Sequence, residues 1–291
     1  MDVVNHRIDA LWHKHTSNYS QGKTIKPRFI VMHYTTGWSA ENNLAWLLGR
    51  AGGSGNTESS AHILVGRDGK AWQICPFNRR AWHAGPSRLG TVADLNSHAI
   101  GIELLNPGWL KPDGHGGWVD YHGNRRSTRQ LQSDGGYLLA RNSRVGSGEL
   151  AWPLYTDAQL DTSRQICLAI ARAYPIHEIV THEEVDTRGW KTDPGPAFPL
   201  DSFRSLVDDY GRESAQPRYK VSASRLNLRG GPATSYELVD PPGQLQQGTL
   251  VEALRHEGDW AYVQVVREGS RAQAGATVTG WVHSAYLQRQ W

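Results

Sequence analysis

The sequence predicts an α/β domain followed by a small all-β domain, and three observations carry that expectation. Short apolar runs at 29–32, 61–65, 71–74 and 99–105 alternate with polar loops and one helical stretch. Two longer segments, 156–174 and 199–210, repeat apolar residues at helical spacing. Beyond Gly211 only strand-like alternation and turn signals remain.

The first strand, 29–32, runs into His33, Tyr34 and Thr35, and 41–48 has helical character. The runs 61–65 and 71–74 flank Arg67-Asp-Gly-Lys70, and an Asp-Gly between apolar runs is a hairpin signal. The run 99–105 is apolar almost throughout, which places it centrally in a sheet and makes Glu103 an anomaly. From 107 to 152 Gly, Asp, His, Arg and Ser dominate and periodicity fades, so an insertion or lid is expected there. Thr156 and Gln159 form a capping-box pattern opening a helix that stops before Pro175. A last helix presents Leu200, Phe203, Leu206, Val207 and Tyr210 on one face. The expected division is a domain over 1–212, a linker over 213–219 and a barrel-like domain over 220–291.

Composition narrows the function. The net charge of +3 is spread along the chain, which argues against nucleic-acid binding. No apolar run is long enough for a membrane span, and the first residues lack the basic and apolar regions of a secretory signal. Synthesis in the cytoplasm, with release or export needed to reach any target outside it, is the expectation. Cys75 and Cys167 lie in apolar segments and read as buried free thiols. His13 with His15, and His115 with His122, lack a third ligand and read as solvated loops.

The segment 181–198 sets His182, Lys191 and Asp193 around a loop stiffened by Pro194 and Pro196, a place to hold a metal and stabilise an anion. With His33 at a strand end, His182 and Asp193 supply two imidazoles and one carboxylate. Catalytic zinc uses three such ligands and leaves its fourth position to water. The separations of these residues are not a compact local motif, so spacing alone does not establish the site.

Further matches run in order along the chain: Ser-Ala-His-Ile-Leu-Val-Gly-Arg-Asp-Gly at 60–69, Pro-Phe-Asn-Arg-Arg-Ala-Trp-His-Ala-Gly at 76–85, Asn96, Ile-Gly-Ile-Glu at 100–103, Thr156 with Gln159, and Lys-Thr-Asp-Pro-Gly-Pro-Ala-Phe at 191–198. Together they resemble the zinc-dependent N-acetylmuramoyl-L-alanine amidases of the type-2 family, relatives of peptidoglycan recognition proteins, over most of 25–210. The resemblance implies a mixed central sheet flanked by helices around a groove holding one zinc. It implies hydrolysis of the amide joining N-acetylmuramic acid to L-alanine of the stem peptide. Carried over by position, His33, His182 and Asp193 bind zinc, Glu103 is general base and proton shuttle, and Lys191 stabilises the oxyanion. Arg80, Trp82 and His83 fall in the substrate groove, and His62 faces the core or supports a ligand.

Bland alternatives stand beside these roles: an ion pair with a core arginine for Glu103, a solvated loop lysine for Lys191, core packing for Trp82. Two departures from family habit are visible. Ala61 stands where some relatives carry a tyrosine, and 107–152 is much longer than in minimal members.

In the second domain, Arg-Leu-Asn-Leu-Arg-Gly-Gly-Pro at 225–232 and the ending at 280–287 resemble a bacterial SH3-like module, which implies anchoring to cell-wall polymer. The expected partners are peptidoglycan and muropeptides, and the expected state is a monomer. The leading expectation is a wall-degrading amidase, such as an endolysin or bacteriolytic enzyme. A cytosolic amidase recycling anhydro-muropeptides and a non-catalytic peptidoglycan-binding protein are the alternatives.

Overall fold

The computed structural model describes residues 1–16, 18–214, 218–266 and 278–290. The chain divides into two compact units, Met1–Tyr210 and Gly211–Trp291.

In the first unit, strands β1 (Trp12–His13), β2 (Phe29–Tyr34), β3 (Ile63–Val65), β4 (Ala71–Gln73), β5 (Ala99–Leu104) and β6 (Glu178–Thr181) form one mixed sheet in the order β6-β2-β5-β3-β4-β1. β6, β2, β5 and β3 run parallel, and β4 returns antiparallel to β3. The Asp-Gly turn between them closes with Gly66 N–H donating to Lys70 O at 2.8 Å. The alternation of a strand sorts its two faces. Ile30, Met32, Ile100, Ile102, Ile63 and Val65 share one core cluster with residues of the two long helices of the unit. The other face carries Val31, His33, Gly101 and Glu103.

Helix α1 (Ala40–Leu48) is capped by Ser39, and its Leu47 joins Ala61, Leu64 and Ile74. Helix α2 (Thr128–Ser133) belongs to the insertion, and α3 (Asp157–Ala173) contributes Ile166, Cys167 and Ile170 to the main core. The one-turn helix α4 (His182–Val185) precedes α5 (Leu200–Ser214), which buries Phe203 and Val207. Tyr210 lies outside the residues whose side chains are described. Thr156 caps α3 as expected, but the Gln159 side chain does not complete the box. Its Nε2 donates instead to Val65 O and Leu105 O, at 3.0 and 3.1 Å, because these buried strand-end carbonyls need a donor. Cys75 and Cys167 are free and buried, and burial pushes both thiols up to about 12.

The segment 107–152 is ordered rather than irregular. Lys111–Pro112, Gly117–Val119 and Arg125–Ser127 form a three-stranded antiparallel sheet, and Tyr137–Asn142 pairs with Gly146–Pro153 as a hairpin. Leu110, Leu131 and Ala151 make its own small core. Its many Gly and Asp residues serve tight turns, which is why apolar periodicity is weak in the sequence.

In the second unit, β7 (Arg218–Val221), β8 (Arg225–Asn227), β9 (Gln244–Gln246), β10 (Leu250–Glu257), β11 (Trp260–Val265), β12 (Thr279–His283) and β13 (Leu287–Gln290) build an SH3-like barrel. A five-stranded antiparallel sheet in the order β12-β11-β10-β7-β13 packs with the β8–β9 pair around Leu226, Leu228, Val251, Val263 and Val282. The expected linker is shorter than 213–219. Helix α5 runs to Ser214 and β7 starts at Arg218, while residues 215–217 lie outside the described residues.

Candidate metal centre

Register assembles the centre. β2 and β5 run parallel with His33 opposite Glu103, and β6 pairs Thr181 with Met32, so the residue after β6, His182, lands beside His33. All three chemistry-bearing residues therefore sit at the carboxyl ends of parallel strands, where α/β sheets commonly open to ligands. His182 is also the first residue of α4, whose capping box is complete. Thr181 accepts from Glu184 N–H at 3.1 Å and Thr181 N–H donates to Glu184 Oε2 at 2.9 Å. The Thr-x-x-Glu pattern that signals this turn is present in the sequence and was missed there.

Asp193 comes from the following loop. Asp186 is its hub, with Oδ2 accepting from Trp190 N–H and Lys191 N–H at 3.0 and 3.1 Å and Oδ1 accepting from Arg188 Nε at 3.0 Å. Burial alone would raise the Asp186 carboxyl, but these donors outweigh it and hold it at about 2. The insertion braces the same loop from outside. Arg144 Nη1 donates to Lys191 O at 2.7 Å, and Asn142 Nδ2 donates to Glu183 Oε1 at 3.0 Å. Buried Trp152 packs on Gly195, where a Cβ would come within 2.5 Å of the indole. Asp186, Asn142 and Arg144 lay beyond sequence reasoning, because no local pattern links them to the ligands.

The ligand atoms converge. His33 Nδ1 lies 3.0 Å from His182 Nδ1, and each lies 2.9 Å from Asp193 Oδ2. Among the described residues this is the one buried group of His, Cys, Asp or Glu able to hold a metal ion. The outward nitrogens are occupied. His182 Nε2 donates to Ala84 O at 3.2 Å, and His33 Nε2 lies 3.1 Å from His83 Nδ1, while His83 Nε2 lies 3.4 Å from Ala99 O. This chain of bonds assigns protons to the outward nitrogens and leaves both inner Nδ1 lone pairs free. Burial, reinforced by neighbouring His182, pushes His33 down to about 4, so it is neutral at pH 7. Burial would raise the Asp193 carboxyl, but positive charge at the inner nitrogens, a proton on His182 or His33 when no metal is held, outweighs it and brings the carboxyl well below the usual range. Two lone pairs and a carboxylate directed at one point are a donor set that fits a divalent cation such as zinc. A tetrahedral site with ligands at about 2.1 Å has edges of about 3.4 Å, a small expansion from the spacing seen here.

Glu103 stands on the neighbouring strand. It is partly exposed as a residue, but its Oε2 is buried and has no hydrogen-bond partner among the described residues. Burial first, then the Asp193 charge, raises its carboxyl well above the ordinary value, and Lys191 only partly opposes this. Among the described residues no arginine forms an ion pair with Glu103. Glu103 and Lys191 both line a cleft of about 540 Å³ that has the metal ligands in its floor.

The three expected groove residues separate. Trp82 lines the cleft and is 36% exposed. His83 is buried beside His33, with its ring against Gly101, where a Cβ would meet it at 2.4 Å. It lines the cleft as well, and it orients a metal ligand. Arg80 is not in the cleft wall. Its Nη2 grips Asp94 at 2.8 and 2.9 Å, and its guanidinium stacks on the Trp82 ring at 4.0 Å. Burial pushes His62 down to about 4, and it locks backbone beneath the site, donating to Arg79 O at 2.9 Å and accepting from Gly101 N–H at 3.0 Å. Asn96, quoted as a match without a role, accepts from His83 N–H and Ala84 N–H at 2.9 and 2.8 Å and so sets the carbonyl that holds His182.

Sequence comparison agrees with this geometry. Residues 23–196 match the family model of N-acetylmuramoyl-L-alanine amidase, and 224–288 match that of the bacterial SH3 domain. The chain belongs to the N-acetylmuramoyl-L-alanine amidase family. Among relatives, 1,6-anhydro-N-acetylmuramyl-L-alanine amidase AmpD of Salmonella typhimurium is 32% identical over 149 residues, which is 51% of this chain and 57% of that protein. The AmpD of Haemophilus influenzae is 51% identical over 151 residues, 51% of this chain and 58% of that protein. The chain thus spans little more than half the length of the curated relatives it matches. A crystal structure of an AmpD derivative covers 71% of this chain and 99% of its own, at 24% identity and a TM-score of 0.49.

Proposed function

We propose that the protein is a zinc-dependent hydrolase of the amide bond between N-acetylmuramic acid and the L-alanine of the stem peptide. The observation that carries this reading is the convergence of His33, His182 and Asp193 in the floor of a cleft that Glu103 and Lys191 share. His33, His182 and Asp193 hold the metal. When bound there, zinc supplies Lewis acidity, polarising a carbonyl oxygen and acidifying water.

The chain's own residues do the rest. His83 and Ala84 fix the outward nitrogens of the two histidines, so their lone pairs stay directed inward. Glu103, with a raised carboxyl, accepts the proton of the attacking water and returns it to the alanine nitrogen as the C–N bond breaks. Lys191 forms no hydrogen bond or ion pair through its ammonium among the described residues, which leaves that charge for the oxygen of the former carbonyl. The products are a muramic acid carboxylate and a free peptide amine.

Polymeric wall is the preferred substrate in this reading, and the observation favouring it is the SH3-like unit, a module suited to holding a catalytic unit near a polymer. The protein then acts outside the cytoplasm, as a monomer, in the manner of a bacteriolytic enzyme. The second reading, recycling of soluble anhydro-muropeptides, is favoured by what the AmpD relatives are named for. Purified sacculi decide: zinc-dependent release of free stem peptides supports the polymer, while turnover confined to soluble anhydro-muropeptides overturns it. No amide hydrolysis with a full complement of zinc would overturn both and leave a peptidoglycan-binding protein.

A further inference from the structure

The floor of the cleft is charged and its sides are not. Glu103, Lys191, Asp193 and the histidines gather at the metal centre, whereas the insertion contributes Pro107, Trp109 and Tyr121 to the lining. Tyr121 is 66% exposed at the cleft, and its ring stands edge-on to Trp109 with centroids 6.0 Å apart. Trp109 is supported from behind by the cluster of Tyr34, Leu150 and Trp152, and Lys111 Nζ lies 5.1 Å from its centroid. Against the same cleft stand Trp46, 52% exposed, and Trp82.

The turn that presents Tyr121 is rigid. Asp120 is buried and accepts from Trp38 Nε1 at 2.8 Å, from His122 N–H at 2.9 Å and from Asn124 N–H at 2.8 Å. Next to it, Thr36 Oγ1 lies 3.3 Å from His122 Nε2, and Thr36 holds a φ of 60°, a costly conformation for a β-branched residue. An exposed tyrosine on a braced turn, edge-on to half-buried Trp109 and bordered by hydroxyl and imidazole groups, suits a neutral ring with apolar faces and hydrogen-bonding edges. A sugar ring has that form. A stem peptide, rich in carboxylates, would call for several cations on this wall, whereas Pro107, Trp109 and Tyr121 are uncharged and the ammonium of Lys111 beside them lies over the Trp109 ring.

Resting on the amidase reading, we propose that the insertion adds a saccharide-binding subsite, in which the Tyr121 ring, held edge-on by Trp109, stacks a sugar of the glycan strand next to the muramoyl residue whose amide is cut. The insertion thereby selects chains of sugars over single muramoyl peptides.

The test uses the full chain loaded with zinc. Its substrates are one muramoyl peptide and the same peptide on a tetrasaccharide of alternating N-acetylglucosamine and N-acetylmuramic acid. The wild type should favour the tetrasaccharide in kcat/KM by about tenfold, through KM, on the scale of one ring stacked on an aromatic face. Tyr121→Ala should bring that ratio close to one, and Tyr121→Phe should restore it. An unchanged ratio in Tyr121→Ala, or no preference in the wild type, overturns the subsite. Should neither substrate be cleaved, the amidase reading fails by itself, and titration of tryptophan fluorescence with peptide-free tetrasaccharide still judges the subsite. Quenching by the wild type that Tyr121→Ala weakens supports it, and equal or absent quenching refutes it.

Discussion

The two units bury different kinds of residue. Beneath the cleft of the first lie His33, His62, His83, His182, Asp186 and Asp193, whereas every buried residue of the second, among those described, is apolar or glycine. Buried polar groups are costly unless they are paired, and the first unit bears that cost both at the metal centre and at structural residues such as Asn18, Gln73 and Gln159. The barrel bears no such cost, and whatever it recognises must be read by its surface. The residues able to do chemistry gather at the carboxyl ends of parallel strands in the first unit, and the attachment proposed for the barrel needs only a stable fold.

The sharpest way to break that division is to remove the metal. Chelation, or His33→Ala, or Asp193→Ala, is expected to abolish stoichiometric zinc and to lower kcat/KM by at least about 10³-fold, with zinc restoring only the chelated wild type. Metal analysis beside the amidase assay checks it, and full activity in metal-free protein would refute the centre.

Glu103→Gln should retain zinc yet lose about 10²–10⁴-fold in kcat. Its pH behaviour follows from a folded carboxyl raised above the ordinary value. A base must be deprotonated, so the acid limb of the rate profile should lie above the usual carboxylate range, and a bound dication draws it part of the way back. Stability has the opposite sense. As pH rises past the ordinary value the unfolded chain loses this proton while the folded chain keeps it, so ionisation costs folding free energy. Metal-free Glu103→Gln should therefore be more stable than metal-free wild type at pH 7, with the gap closing as pH falls. Denaturant melts at two pH values test the sign.

Lys191→Met should cost about 10²-fold in kcat with little change in zinc affinity, the size seen when one oxyanion donor is removed. Arg144→Ala should act one step further out, loosening the loop through the Lys191 carbonyl and weakening zinc binding by about tenfold. Competition with a chromogenic chelator measures it, and unaltered affinity would reduce the insertion's brace to packing.

The smallest effect on chemistry belongs to the barrel. Leu228→Ala, at a fully buried position, should destabilise that unit by about 2–5 kcal/mol while turnover of a soluble muramoyl peptide stays within about twofold. Release of peptides from sacculi should fall more. Equal losses on both substrates would erase the distinction between the units.

Much of the site was legible because its parts are tied to strong local signals. His33 closes an apolar strand, Glu103 interrupts one, and the Lys-Thr-Asp-Pro-Gly-Pro-Ala-Phe run marks its own loop. Local signals misled where a side chain had two partners to choose from. Gln159 fits a capping box, yet two buried strand-end carbonyls claim its amide. Arg80 was read as a groove residue from its neighbourhood, yet Asp94 takes its guanidinium, while His83 lines the cleft and also props His33. The insertion was illegible for a different reason: short strands joined by glycine turns leave too little apolar alternation to recognise.

By itself, then, the sequence determined the four strands β2, β3, β4 and β5 of the central sheet, the long helices, the SH3-like barrel and which residues could ligate a metal, since these depend on periodicity and residue chemistry. The tertiary structure decided that parallel register sets His33 beside both Glu103 and His182, that Asp186 and Arg144 hold the loop bearing Asp193, and that Tyr121 faces the cleft. Those are contacts between residues far apart in the chain, and only packing brings them within hydrogen-bonding reach.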